Sequence, residues 1–196
     1  MSPWTLCDSA GPAIFKGPLA RAAGCALLLA GPLGGEAAPA PEYALKAQFL
    51  VEILPYVQLR SEPAGDTRPF VIGVLGRSPF GSHLNDYARG RSVRHRPLQI
   101  RYGDRIQDLS GCDAVFICRS ESSGIPAIVA WTRGRHVLTV ADDERGIRQG
   151  VMLCFLMEGQ FVRLFANPEA AAAEGLVFSS QLLRVARMPG ASRTAP

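Results

Sequence analysis

Three continuous apolar runs of strand length constrain the fold of this chain more than any other feature. They lie within the segments PFVIGVLG from Pro69, CDAVFIC from Cys112 and RHVLTV from Arg135. Strands that are apolar along their whole length are typical of parallel sheets, because helices cover both faces of such sheets. Helix-like segments follow the first two runs. The alternation therefore predicts an α/β fold with a mostly parallel central sheet and helices on both faces.

Helix signals separate these strands and precede them. From Glu42, apolar residues recur at three- and four-residue spacing, which predicts an amphipathic helix that ends or kinks at Pro55. The segment after the first strand has Ser78 as a natural N-cap, Pro79 as the first helical residue and Gly90 after the last turn. A strand that leads into a capped helix is half of a βαβ unit.

The pattern changes after Val140. Two apolar segments, GVMLCFL and QFVRLFA, are separated only by MEG. A connection this short cannot join parallel strands, so the sequence predicts a C-terminal antiparallel hairpin. Asn167 then caps a helix that Gly175 ends, and Ser179 or Ser180 caps the last helix.

The last helix has Leu182, Leu183 and Ala186 at three- and four-residue spacing. These residues must bury one face of the helix. Two interpretations stay open: the face packs against the core, or it forms a partner-binding surface.

The first 37 residues have the composition of a secretory signal peptide. Lys16 and Arg21 precede an apolar run that is too short and too rich in glycine to span a bilayer, which takes about 20 residues. Small residues then predict cleavage after Ala37. Residues 42–188 are predicted to form one domain and residues 189–196 a disordered tail, so the mature protein is expected to be soluble and periplasmic.

Charge and cysteine content add little about chemistry. The net charge is +4, and the basic cluster at residues 89–105 lacks the stacked aromatic residues of a nucleic-acid platform, so no nucleic-acid partner is expected. Cys112, Cys118 and Cys154 remain after cleavage, an odd number that leaves at least one thiol free or paired between chains. A strand between Cys112 and Cys118 would separate them by about 20 Å, which is too far for a disulfide.

Catalytic and ligand motifs are weak. The glycines of GVLGRSPFG do not have the spacing of a nucleotide loop, the three histidines lack metal-ligand spacing, and no GxSxG elbow is present. No catalytic residue, metal or cofactor is therefore predicted. Asp142, Asp143 and Glu144 follow a strand, where they could bind a cation, but Asp142 is expected to cap a short helical turn.

Short motifs along the chain resemble the YfiR-like (YfiR/HmsC-like) family of periplasmic regulators. The matching residues are Lys46, Ala47, Phe49 and Ile53; Phe80, Gly81, Ser82 and Leu84; residues 111–117 and 137–140; Gly150 and Met152; Val162, Arg163, Phe165 and Asn167; and Gly175, Leu176, Ser179, Ser180, Leu182, Leu183, Ala186 and Arg187. The candidates for structural or interaction roles are Phe49, Cys112, Cys154, Arg163, Phe165, Asn167, Gly175, Leu182 and Leu183.

The chain also departs from the family pattern. Leu59 and Arg60 stand where the family has Trp-Pro after the first helix. Some members have a cysteine that pairs with the one in the Cys154 segment, but Glu144 or Arg145 occupies that region here. The family disulfide is therefore not carried over.

The resemblance implies a non-catalytic regulator of cyclic-di-GMP signalling and biofilm formation. Such a protein binds the periplasmic sensing region of an inner-membrane diguanylate cyclase or other sensor and inhibits it, forms homodimers, and is sequestered by an outer-membrane lipoprotein. The alternative is a periplasmic small-molecule binding module that uses the strand ends near Ser78 or Asp142. An enzyme is disfavoured because no nucleophile, base and orienting group can be named.

Overall fold

A computed structural model describes residues 41–59 and 66–188. The predicted signal peptide, its cleavage site and the C-terminal tail lie outside these residues. The nine described strands are β1 Val57–Leu59, β2 Phe70–Leu75, β3 Ser92–Val93, β4 Arg96–Gly103, β5 Ala114–Ile117, β6 Leu138–Ala141, β7 Leu153–Glu158, β8 Phe161–Ala166 and β9 Leu176–Phe178. The described α-helices are α1 Pro41–Ile53, α2 His83–Ala88, α3 Ile125–Thr132, α4 Glu144–Arg148, α5 Pro168–Ala173 and α6 Ser180–Val185.

Seven of the described strands form one sheet in the order β3-β4-β2-β5-β6-β7-β8. The five central strands β4, β2, β5, β6 and β7 are parallel to one another. β8 runs antiparallel to β7 in the predicted hairpin, and the short β3 runs antiparallel to β4. The predicted mostly parallel sheet with a C-terminal antiparallel hairpin is confirmed.

Helices cover both faces of this sheet. Along β2, Ile72 and Val74 belong to one buried cluster, while Val71 and Leu75 belong to another. Helices α1, α2, α5 and α6 contribute apolar side chains to the first cluster, and α3 and α4 contribute to the second. The period-two alternation of a strand therefore divides the core into two layers.

A second, two-stranded antiparallel sheet was not predicted. It pairs β1 with β9, and Val57 lies opposite Phe178. Each strand has only three residues, which gives too few positions for a pattern in the sequence. The pair forms because the chain leaves α1 through a 3₁₀ turn at Leu54–Tyr56, which contains Pro55. The predicted break of the first helix at this proline is confirmed.

The predicted start of the second helix is wrong. α2 begins at His83, with Ser82 at the N-cap position. Ser78 lies in a turn, where its hydroxyl accepts a hydrogen bond from the backbone N–H of Phe80 at 3.4 Å. Gly81 has φ of 55°. A residue in this left-handed conformation cannot continue an α-helix, so the helix starts after it.

The predicted caps of the last two helices are confirmed. The Asn167 side chain accepts a hydrogen bond from the N–H of Ala170, and Ser179 accepts one from the N–H of Leu182. Gly175, which follows α5, has φ of 74° and supplies the left-handed turn at its end.

Candidate functional site: the carboxyl ends of the parallel strands

The carboxyl ends of β2, β5 and β6 lie side by side at one edge of the sheet. Leu75 pairs with Ile117, and Ile117 pairs with Ala141. The residues that follow these strands include Arg77, Arg119 and Asp142. In open parallel sheets this edge is where ligand sites form, because the loops that leave neighbouring strands converge there.

Five side chains from α1 and two strand ends form a charged cluster, which we call the strand-end cluster: Glu42, Tyr43, Lys46, Arg119 and Asp142. Lys46 Nζ lies 2.5 Å from Glu42 Oε1 and 3.5 Å from Asp142 Oδ2. The Tyr43 hydroxyl donates a hydrogen bond of 2.7 Å to Asp142 Oδ2. Arg119 Nε lies 3.3 Å from the same oxygen. Asp142 Oδ2 therefore accepts one hydrogen bond, from Tyr43, and forms ion pairs with Lys46 and Arg119.

Both central charges of the strand-end cluster are buried. Lys46 is 0% exposed and Asp142 is 1% exposed. Charges removed from water are costly unless they are paired, so Lys46 and Asp142 depend on each other and on Glu42 and Arg119. Asp142 Oδ1 has no hydrogen-bond partner among the described residues. Burial, followed by the hydrogen bond to Asp142, raises the pKa of Tyr43 far above its usual range.

A pocket of about 430 Å³ opens beside the strand-end cluster. It is lined by Tyr43, Arg77, Pro79, Arg119 and Ser120. Two of these residues also belong to the strand-end cluster, so the pocket and the buried charges share a wall. We call this cavity the strand-end pocket.

A close approach of two loops shapes the strand-end pocket. The Arg77 N–H donates a hydrogen bond of 3.0 Å to Ser120 Oγ. Gly76 has φ of 86°, and a Cβ atom there would lie 2.4 Å from Ser120 Oγ. Only glycine fits at this turn, both for its conformation and for the space available.

The predicted role of Asp142 as a helix cap is wrong. Asp143 caps α4, because its side chain accepts a hydrogen bond of 2.8 Å from the Arg145 N–H. Although burial alone would raise the pKa of Asp143, this backbone hydrogen bond and nearby donors lower it. Asp142 points instead into the strand-end cluster. Helix-start signals cannot resolve which of two adjacent aspartates caps the helix and which is buried.

The strand-end cluster was not recognised as a unit from the sequence. In the sequence, Lys46 belongs only to a family motif, and the matching motif residues do not include Tyr43 or Arg119. One signal was available: Lys46 lies on the helix face of Leu50 and Ile53, both of which are buried. A lysine on the apolar face of a helix needs a buried acid as its partner.

The family-matched candidates lie elsewhere, mainly around the hairpin. Phe49 on α1 is 38% exposed, and its ring centroid lies 6.4 Å from that of the buried Phe155 on β7. Arg163 on β8 forms an ion pair of 3.2 Å with Glu158. Phe165 packs against the second core cluster. Leu182 is buried in the first cluster, and Leu183 packs at its margin.

The outer edge of β8 is covered along only part of its length. The Arg187 N–H donates to Leu164 O, and the Ala166 N–H donates to Arg187 O, both at 2.9 Å. No other described segment pairs with this edge. Phe161, at the start of β8, is 67% exposed and lies under the guanidinium of Arg163, 5.7 Å from its ring centroid. We call the uncovered part, Phe161–Arg163, the open β8 edge.

Cys112, Cys118 and Cys154 are buried, free thiols. Cys112 and Cys118 lie on either side of β5, as predicted. Burial raises the pKa of all three thiols, and it raises those of Cys118 and Cys154 to about 12. These thiols are protonated at neutral pH and are therefore poor nucleophiles and metal ligands.

The described residues form neither a metal-ligand cluster nor a membrane-spanning helix. Among residues 41–59 and 66–188, no group of three or more histidine, cysteine, aspartate or glutamate side chains could hold a metal ion. Within the same residues, no helix combines the length and apolar character needed to cross a membrane.

Comparison with known proteins gives a family and a fold. No curated protein matches the chain at a significant level. The structure of a conserved domain protein from Vibrio cholerae O1 biovar El Tor strain N16961 is similar, with a TM-score of 0.53 and 12% identity. The match covers 74% of this chain and 59% of that protein. At this identity the likeness supports the fold alone.

The sequence comparison is more specific. A family model described as YfiR/HmsC-like matches residues 43–187, which include every described helix and strand except the first two residues of α1. The match covers well over half of the chain and agrees with the motifs found in the sequence. The chain therefore belongs to the YfiR/HmsC-like family.

Proposed function

We infer that this protein is a periplasmic regulator that binds the periplasmic sensing region of an inner-membrane diguanylate cyclase and holds it inactive. The observation that carries the proposal is the family match across residues 43–187. The family is a regulatory one, of the kind that acts in cyclic-di-GMP signalling. Homodimer formation and release of inhibition by an outer-membrane lipoprotein belong to the same proposal.

The open β8 edge supports binding to another protein. In a β-strand, the backbone N–H and C=O of one residue point toward the same edge of the strand. Those of the next residue point toward the opposite edge. Leu164 and Ala166 direct these groups toward Arg187. Val162 therefore directs its backbone N–H and C=O away from β7, where a strand of a partner could pair with them.

Exposed apolar side chains accompany this edge. Phe161 is 67% exposed. Aromatic residues of this size contribute strongly to binding when a partner covers them. Val185 on α6, two residues before the Arg187 that pairs with β8, is also largely exposed. The open β8 edge and the end of α6 are therefore the surface that we assign to the partner.

A deletion experiment tests the regulatory role. Removal of the gene should raise cellular cyclic-di-GMP, and a plasmid copy of the wild-type gene should lower it again. Unchanged cyclic-di-GMP in the deletion strain would rule out the proposed role.

The surface is tested with two variants at one position. Val162→Pro removes the outward N–H that a partner strand would use, and proline is tolerated on strand edges. Val162→Ala removes a similar amount of side chain and keeps the N–H. We expect the alanine variant to restore inhibition and the proline variant to fail, with both proteins folded by circular dichroism. Equal restoration by both would exclude strand pairing at this edge.

A further inference from the structure

The strand-end pocket has an uneven charge. Among the described residues, its lining includes two guanidinium groups, those of Arg77 and Arg119, and no acidic side chain. Arg77 is exposed, and no described acidic side chain forms an ion pair with it. Nearby Glu121 accepts a hydrogen bond of 3.0 Å from the Ser120 hydroxyl and does not line the pocket.

The charges of the strand-end cluster beside the pocket balance each other. In the strand-end cluster, Lys46 and Arg119 face Glu42 and Asp142, so two positive charges meet two negative charges. Arg77 adds a positive charge at the pocket that the cluster does not neutralise. A guanidinium group presents several donors in one plane, a geometry that fits carboxylate and phosphate groups.

Apart from Ser120, the rest of the lining is apolar or aromatic. Tyr43 and Pro79 supply ring surfaces next to the two arginines. The volume of about 430 Å³ lies within the range of small-molecule sites. The site also lies at the carboxyl ends of parallel strands, where α/β proteins bind ligands.

We propose that the strand-end pocket binds a small organic anion, whose carboxylate or phosphate group lies between Arg77 and Arg119 and whose apolar part lies against Tyr43 and Pro79. The ligand would touch Tyr43 and Arg119, which also hold Asp142 and the start of α1. Binding therefore stabilises the attachment of α1 to the sheet. This inference does not depend on the identity of the regulator's partner.

The experiment uses phenyl phosphate and benzoate as probes, with sodium chloride added to keep the ionic strength constant. Titration calorimetry measures affinity, and amide chemical shifts locate the site. Arg77→Gln removes the proposed anion contact without touching the strand-end cluster. Arg184→Gln, an exposed arginine on α6 outside the pocket, is the matched control for net charge.

We expect at least one probe to bind saturably to the wild type and to shift the amide signals of Arg77, Arg119 and Ser120. Loss of one charge-assisted hydrogen bond should weaken binding about tenfold or more in Arg77→Gln. Arg184→Gln should bind as the wild type does. Equal weakening in both variants, signals that shift elsewhere, or no saturable binding of either probe would overturn the proposal.

Discussion

The strand-end cluster and the open β8 edge differ in burial: the first buries charged side chains, and the second exposes an apolar side chain. In the strand-end cluster, Lys46 and Asp142 carry charge yet are fully buried, so they must find partners inside the protein. At the open β8 edge, Phe161 is apolar yet exposed, and Val162 has backbone groups that no described segment pairs. The first region finds its ion-pair partners within the domain, whereas the second gains most from another protein. Substitutions should therefore affect folding at the first region and binding at the second.

The largest loss of unfolding free energy is expected from Lys46→Met. Methionine matches the length of the lysine side chain but leaves Asp142 with fewer positive partners in a buried site. Loss of one partner of a buried ion pair costs about 3–5 kcal/mol of unfolding free energy. Urea denaturation followed by circular dichroism measures this change.

Arg148→Gln provides the matched comparison on the surface. Arg148 pairs with Glu144 at 3.3 Å, and both side chains are largely exposed. Its loss should cost less than about 0.5 kcal/mol. Similar costs for Lys46→Met and Arg148→Gln would show that the strand-end cluster does not stabilise the fold.

The next effect concerns the two neighbouring leucines of α6. Leu182 is 2% exposed, whereas Leu183 is half-buried at the margin of the core. An aspartate at a fully buried apolar site should cost about 3 kcal/mol or more, and one at a half-buried site about 1–2 kcal/mol. Leu182→Asp should therefore lower the melting temperature much more than Leu183→Asp.

These variants also separate the two interpretations of the α6 face. Packing of Leu182 and Leu183 against the first core cluster favours the core interpretation. If Leu183→Asp keeps the wild-type melting temperature and loses inhibition, Leu183 is a docking residue. If it is both stable and fully inhibitory, neither interpretation of Leu183 holds.

The next prediction concerns how fast the buried thiols are labelled. With a pKa of about 12, Cys118 and Cys154 have few thiolates at pH 8 in the folded state. A thiol with the ordinary pKa of about 8.5 has far more, so native labelling should be about a thousandfold slower than labelling in urea. Reaction with a chromogenic disulfide at pH 8 measures both rates. Fast native labelling of either residue would contradict the observed burial.

The same thiols predict the sign of a pH effect. Their folded pKa values lie above the unfolded value, so the folded state keeps more protons as the pH rises. The stability they contribute is full below about pH 8.5 and is lost as the pH rises toward 12. Cys154→Ala should lose less stability over that range than the wild type.

A small effect on folding is also expected at the hairpin. Glu158 forms ion pairs with Arg163 and Arg187, and all three side chains are partly exposed. Glu158→Gln should cost less than about 1 kcal/mol, and high salt should reduce the difference. A cost above 3 kcal/mol would show that these ion pairs, like those of the strand-end cluster, are needed for folding.

Local signals predicted much of the fold. The apolar runs that became β2, β5 and β6 are continuous, and the caps at Asn167 and Ser179 satisfy backbone donors within their own turns. The sequence signals do not locate the start of α2, because the decisive feature is the left-handed conformation of Gly81. A glycine in a sequence permits that conformation but does not require it.

The sequence by itself determined the parallel sheet, the two helical layers, the hairpin and the family, since each depends on the order and periodicity of residues along the chain. Only the tertiary structure decided the strand-end cluster, because Lys46 and Asp142 are 96 positions apart in the printed sequence. It also decided the pairing of β1 with β9 and the partial cover of β8 by Arg187. A buried charge or a free strand edge is defined by what packs against it, and that depends on the fold of the whole domain.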